Sequence, residues 1–272
     1  MERFVLGVDA AWTTTEPSGI ALLGSRHGSR ARILRAGRSY EEFCSEETPK
    51  WHERVRGSFP SFHSIINSCQ ISSGLDIVAL DMPLSPFPIL GRREADNAIS
   101  RRYGKLGAGT HTPTSERPGV MTSSIYDQLT GCGFRWRGTD ATCTRSFIEV
   151  YPHVAIIELF RYEYRFPYKV EKRSRFWPNL SPKQRLRKIV ENLLELRGRL
   201  SDGICNVDEF LPDLDRNADY TTKFLKSYED LIDAVICALV GMRFAEGQAV
   251  PFGDEAGVIW IPRRKESDGK DA

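Results

Sequence analysis

Four aspartates hold positions where side chains can do chemistry. Asp9 closes the apolar run Phe4-Val5-Leu6-Gly7-Val8, and Asp81 closes Ile77-Val78-Ala79-Leu80 just before Met82-Pro83. An acid at the end of a buried strand faces the sheet edge where ligands bind in open α/β folds. Alone, each reads best as a solvated turn residue. Together, both closing buried runs, they read as a site. Asp230 and Asp233 lie in Ser227–Gly241, which becomes apolar all round beyond Asp233 and is therefore a buried helix. A cap at Ser227 and the positive helix end account for Glu229 and Asp230 but not for Asp233.

Carboxylates brought together repel unless cations neutralise them. Oxygen ligands without imidazole or thiolate suit Mg²⁺ or Mn²⁺. Two such ions about 4 Å apart would clamp the attacking and leaving oxygens of an in-line phosphodiester displacement. In that arrangement Asp9 bridges the ions, Asp81 holds one and Asp233 the other. Asp230 then serves as a further ligand or as a base. Glu149 interrupts the apolar alternation of Ser146–Val150 and needs a cation or a partner. A metal and an arginine serve it equally well.

The elements that must position these acids are legible in outline. Phe4–Asp9 and Asp76–Asp81 read as strands that a crossover makes parallel and adjacent. Gly19–Leu23 and Ala31–Ser39 read as an antiparallel hairpin joined by the polar turn Ser25–Ser29. Glu41 to Cys69 reads as mainly helical, broken at Pro49 and Pro60. Ser181-Pro182-x-Gln184 starts a helix with a capping box. Asp202–Asp219 reads as an acidic connector, and Val258–Ile261 as a closing strand. On the last helix, at about 3.6 residues per turn, Asp230 and Asp233 share a face with Ala234, Cys237, Ala238 and Gly241. Those small residues let it lie close on the sheet, with its acids near Asp9 and Asp81.

Arg92–Gly104 reads as a short polar helix. In it Arg93 and Asp96 fit a surface ion pair as well as a phosphate clamp made with Arg101 and Arg102. Lys105–Thr122, with His111 at its middle, reads as a functional loop. From Arg161 to Trp177 basic and aromatic residues interleave, Arg165 and Arg173 among them, as in grooves that bind single-stranded nucleic acid. A solvated helix with a buried aromatic face is the plainer alternative.

Bulk properties narrow the class. The 272 residues carry a net charge of +2, so no global basic signature marks a nucleic-acid binder. No run is long and apolar enough to span a membrane, and the early strand leaves no room for a leader. The six cysteines form no C-x-x-C pair, which excludes a zinc knuckle and points to a reducing, cytoplasmic setting.

Gly7-Val8-Asp9, Leu80-Asp81-Met82-Pro83-Leu84, Arg93-x-x-Asp96 with its following arginines, Glu149-Val150-Tyr151-Pro152 and Asp230-x-x-Asp233-Ala234 occur in a fixed order. This order resembles the domain of unknown function 429 family, described as RNase H-like nucleases distantly related to Holliday-junction resolvases. The resemblance implies an α/β fold in which an RNase H-like mixed β-sheet is flanked by helices, with helical and loop insertions. It implies one domain over 1–262 with insertions around 92–145 and 161–222; the residues after Pro262 read by composition as a polar tail, 263–272. It also implies a Mg²⁺- or Mn²⁺-dependent nuclease acting on DNA or RNA through Asp9, Asp81, Asp230 and Asp233, and allows a homodimer. Two departures stand out. Asp81 occupies a position where many RNase H-like nucleases carry glutamate, and Ala10-Ala11-Trp12 is less glycine-rich than the family pattern. A non-catalytic nucleic-acid-binding module is the alternative. An actin-like phosphotransferase is a weaker one, for want of a second core and glycine-rich phosphate loops.

Overall fold

The computed structural model describes residues 2–26, 29–45, 48–139 and 145–264. Cys143 and most of the polar tail lie outside the described residues. In chain order the elements are β1 (Glu2–Asp9), β2 (Gly19–Arg26), β3 (Arg32–Gly37), α1 (Tyr40–Ser45), α2 (Phe62–Ser68) and β4 (Ile77–Leu80). Then come α3 (Glu94–Tyr103), α4 (Val120–Gly131), β5 (Arg135–Trp136), β6 (Ser146–Val150), α5 (Pro152–Phe160) and α6 (Arg173–Phe176). The rest are α7 (Pro182–Gly203), α8 (Val207–Phe210), α9 (Thr222–Ala245), β7 (Ala249–Asp254) and β8 (Gly257–Pro262).

The strands form one 8-stranded mixed sheet, ordered β3-β2-β1-β4-β6-β8-β7, with β5 pairing β6. β1 is antiparallel to β2 and parallel to β4, and β4, β6 and β8 run parallel in turn. Successive side chains on a strand face opposite sides. Leu6, Val8, Val78, Leu80 and Phe147 therefore join Phe43, Phe62 and Ile125 of α1, α2 and α4 on one face. Val5, Ile77, Ala79, Ile148 and Val150 join α5, α7 and α9 on the other.

α9 crosses the sheet unusually closely. A methyl on Gly7 would fall 2.0 Å from the Ala234 carbonyl oxygen, and one on Gly19 would fall 2.1 Å from that of Asp230. Those two glycines, facing the small residues of the helix, bring its acids down to the sheet. Thr221, accepting from the Phe224 N–H at 3.1 Å, caps α9, so the helix starts five residues before the cap expected at Ser227. Ser227 is buried inside it.

Other boundaries moved too. Among its described residues the stretch 41–69 holds two short helices, and Arg38 fixes part of the intervening chain in an irregular path through the Lys50 and Glu53 carbonyls. The acidic connector contains α8 and the last residues of α7. β7 was not expected, since Pro251 and Gly253 depress its strand character. At the sheet edge that composition is admissible.

Candidate functional site

Asp9 and Asp81 each stand one residue beyond the last paired positions, Val8 and Leu80, of neighbouring parallel strands. The Asp81 N–H donates to the Val8 carbonyl at 2.8 Å, which continues the ladder and levels the two acids. By alternation both side chains project to the α9 face. They line a cleft of about 560 Å³ together with Trp12, His111, Arg117, Tyr151, His153, Lys169, Lys172, Lys226 and Glu229. Among the described residues, neither carboxylate has a hydrogen bond or an ion pair. Burial, followed by the charge of Asp9, pushes Asp81 well above the ordinary carboxylate range.

The acids of α9 are compensated. Lys169 Nζ donates to Asp233 and lies 3.0 Å from Glu229 Oε1, and the Tyr168 hydroxyl donates to Asp233 Oδ1 at 2.6 Å. Lys226 pairs with Asp230 and, at 3.2 Å, with Glu229. Glu229 also accepts from the Val170 N–H at 2.6 Å. Burial pushes Asp233 up to about 6, against the pull of Lys169. It also raises Asp230 well above its ordinary value, against the pull of Lys226. Glu229 goes the other way, because Lys169 and Lys226 outweigh its burial.

This lysine pairing departs from the expected four-carboxylate, two-ion arrangement. Among the described residues, no three His, Cys, Asp or Glu side chains are gathered to hold a metal ion. Lys169 and Lys226 occupy part of that role. Lys226 precedes Asp230 by one helical turn and was legible as an ion pair. Lys169 arrives from the aromatic–basic segment, and nothing local announces its partner.

The second expected cluster is assembled, but for another purpose. Glu149 projects to the face opposite Asp81, alongside Phe147. There Arg93 meets it bidentately, Nη1–Oε2 at 2.7 Å and Nη2–Oε1 at 2.6 Å. The same guanidinium binds Asp96 through Nε and Nη2 and the Leu84 carbonyl through Nη1. Every N–H of Arg93 is thus used, leaving none for a phosphate. Glu149 Oε2 also accepts from the Leu84 N–H at 2.7 Å, so the ion pair clamps the turn that follows Asp81. Glu149 is the partner of an arginine, and the clamp replaces the phosphate role drawn for Arg93 and Asp96.

Arg101 pairs with exposed Glu94, and Arg102 lies over the Tyr103 ring; neither lines the cleft. Arg165 donates to His153, which burial and then Arg165 push well below its ordinary value, keeping it neutral. Arg173 stands outside the cleft, in an adjoining groove. Arg92, not anticipated, ties the loop bearing His111 to α3, bonding Thr112 of the loop and Asn97 and Ser100 of the helix. Lys172 Nζ lies 3.3 Å from His111 Nε2. Burial and then Arg165, Lys169 and Arg175 lower Lys172 to about 8. The cleft thus carries an acidic pole at Asp9 and Asp81 and a cationic one at Lys172 and Arg117, beside His111, whose charged form burial and then Lys172 disfavour.

The model of the family described as "Protein of unknown function (DUF429)" matches residues 7–257. The chain belongs to that family. The match runs from the end of β1 to the start of β8 and includes both strand-end acids. No curated protein and no solved structure matches. Among the described residues, no helix is long and apolar enough to cross a membrane.

Proposed function

We propose that this family member is a divalent-metal-dependent nuclease of RNase H-like type, hydrolysing phosphodiester bonds in DNA or RNA. The observation that carries the reading is the Asp9–Asp81 pair. Two level carboxylates, without a protein donor among the described residues, stand at the carboxyl ends of adjacent parallel strands and share a cleft with Lys172 and Arg117. The sheet order supports it, since the run β3-β2-β1-β4-β6 has the antiparallel and parallel pairings expected of an RNase H-like core.

The donor set fits a hard cation with few protein ligands. Mg²⁺ commonly takes one or two carboxylates, keeps several waters and completes its shell with substrate phosphate. Asp9 and Asp81 would hold it, and Mn²⁺ would fit the same oxygens. Bound there, the ion would polarise the phosphodiester and supply a water of lowered pKa. Lys172, His111 and Arg117 would orient the phosphate through its non-bridging oxygens. A second ion at Asp233 or Asp230 would require Lys169 or Lys226 to release its carboxylate.

A second reading draws on the absence of a gathered three-ligand set among the described residues. It is a nucleic-acid-binding module of the same fold, without hydrolysis. One assay separates the two. Junctions, hybrids and single strands are incubated with Mg²⁺ or Mn²⁺ and either wild type or Asp9→Asn. The nuclease reading expects metal-dependent cleavage that falls at least roughly 100-fold in the variant. Binding without cleavage in any metal would favour the module.

A further inference from the structure

A second groove, of about 1040 Å³, opens from the cleft; Glu16, Glu171 and Lys226 line both. Its far part is walled by residues 51–57 and by the start of α9. Arg54, Arg56 and Lys223 are exposed there, and among the described residues none of them forms an ion pair. Arg173 lines it too, bonded through Nη1 to the Val170 carbonyl. Of the acids in the lining, Glu16 and Glu171 stand at the junction with the cleft, and Glu53 is an exposed acid 3.7 Å from His52, outnumbered by the cations of the wall.

The basic wall is held in place. Buried Arg38, paired with Glu42, donates to the carbonyls of Glu53 and Lys50 at 3.0 and 2.7 Å. Trp51 donates to the Phe210 carbonyl at 3.0 Å, and its ring rests against Phe224 and Tyr228. An irregular segment is thereby fixed while its cations project into solvent. Trp51 and Phe224 of the lining are packed on each other and are not presented for base stacking. Its chemistry suits a backbone of phosphates, which basic grooves track without reading sequence.

We infer that this groove carries the phosphodiester backbone of a polynucleotide strand leading away from the Asp9–Asp81 cleft, with Arg54, Arg56 and Lys223 as phosphate contacts. The inference rests on the nuclease reading for where the strand leads, and it makes the substrate a polymer, not a mononucleotide or a small diester.

The test is fluorescence anisotropy in EDTA, with a single strand of about 20 nucleotides, longer than the roughly 4–16 a single-strand site spans. Wild type is compared with the triple variant Arg54→Ala, Arg56→Ala, Lys223→Ala, and with Arg101→Ala, Arg102→Ala as exposed-charge control. Loss of three contacts should flatten the plot of log affinity against log salt by about 2 and weaken binding at least roughly tenfold at low salt. The control pair should bind like wild type. Equal binding by the triple variant, or an equal loss in the control, would overturn the inference. So would a wild type that binds no polynucleotide. In that last case, metal-dependent hydrolysis of a small chromogenic phosphodiester, abolished by Asp9→Asn, would leave the phosphodiesterase chemistry standing. Conversely, a flattened salt slope without any cleavage would uphold the groove and remove the nuclease.

Discussion

Gly19 lies directly beneath the main chain of Asp230, its missing methyl leaving room for a carbonyl oxygen that would stand 2.1 Å away. Gly19 is also the register partner of Asp9 across β1 and β2. One contact therefore sets the start of the buried helix beside the first strand-end acid. In Gly19→Ala the helix must lift or tilt. Overpacking of this kind costs about 1–3 kcal/mol. Urea denaturation should show that loss, and divalent-ion affinity should fall with it; an unchanged midpoint would separate helix placement from the site.

Glu149 provides a control for ligand identity. Glu149→Gln keeps the shape and leaves Asp96 as the charged partner of buried Arg93. Weakening one charged link of such a buried network costs about 1–3 kcal/mol. Thermal unfolding should report a loss of that order, with Mn²⁺ affinity within about twofold of wild type at temperatures where the variant is folded. A collapse of Mn²⁺ affinity in a folded variant would make Glu149 a ligand after all.

Lys169 neutralises Glu229 and Asp233 in the absence of metal. Lys169→Met should therefore destabilise the metal-free protein by about 3–5 kcal/mol. Mn²⁺ should restore more stability to this variant than to wild type, because ions bound to the folded state stabilise it by mass action. Equal stabilisation of both proteins by Mn²⁺ would mean that the lysine and the metal do not share these carboxylates.

The raised carboxyls make a signed prediction about pH. Asp81 sits well above the ordinary 3.8, and Asp233 reaches about 6. A folded-state value above the unfolded one favours folding below the unfolded value, and that contribution is lost as pH rises through the folded one. The metal-free protein should thus lose stability, from these two groups, as pH rises from about 4 through 6 and beyond. Asp81→Asn should be more stable than wild type at pH 7 by about 1 kcal/mol without metal. At saturating Mn²⁺ the order should reverse. If the variant is less stable in both conditions, Asp81 is a structural residue.

Much of this was legible in local sequence. Apolar runs closed by Asp9 and Asp81 identified both strand ends, and the small-residue face of the last helix announced its close approach. Pairings between distant segments were not legible. Lys169 reaches Asp233 across 64 positions, and Arg93 reaches Glu149 across 56. Both carry charge across elements, so no periodicity encodes them. The start of α9 was misread for a different reason: Ser227 and Thr221 are both competent caps, and only the packing of the first turn decides between them.

In the proposed reading, Asp9 and Asp81 together hold a divalent cation. Calorimetric titration of Mn²⁺ into wild type, Asp9→Asn and Asp81→Asn, each verified as folded by circular dichroism, tests it most directly. The expected result is one ion per wild-type chain and affinity reduced at least roughly tenfold in both variants. Wild-type affinity retained by either folded variant would contradict the claim.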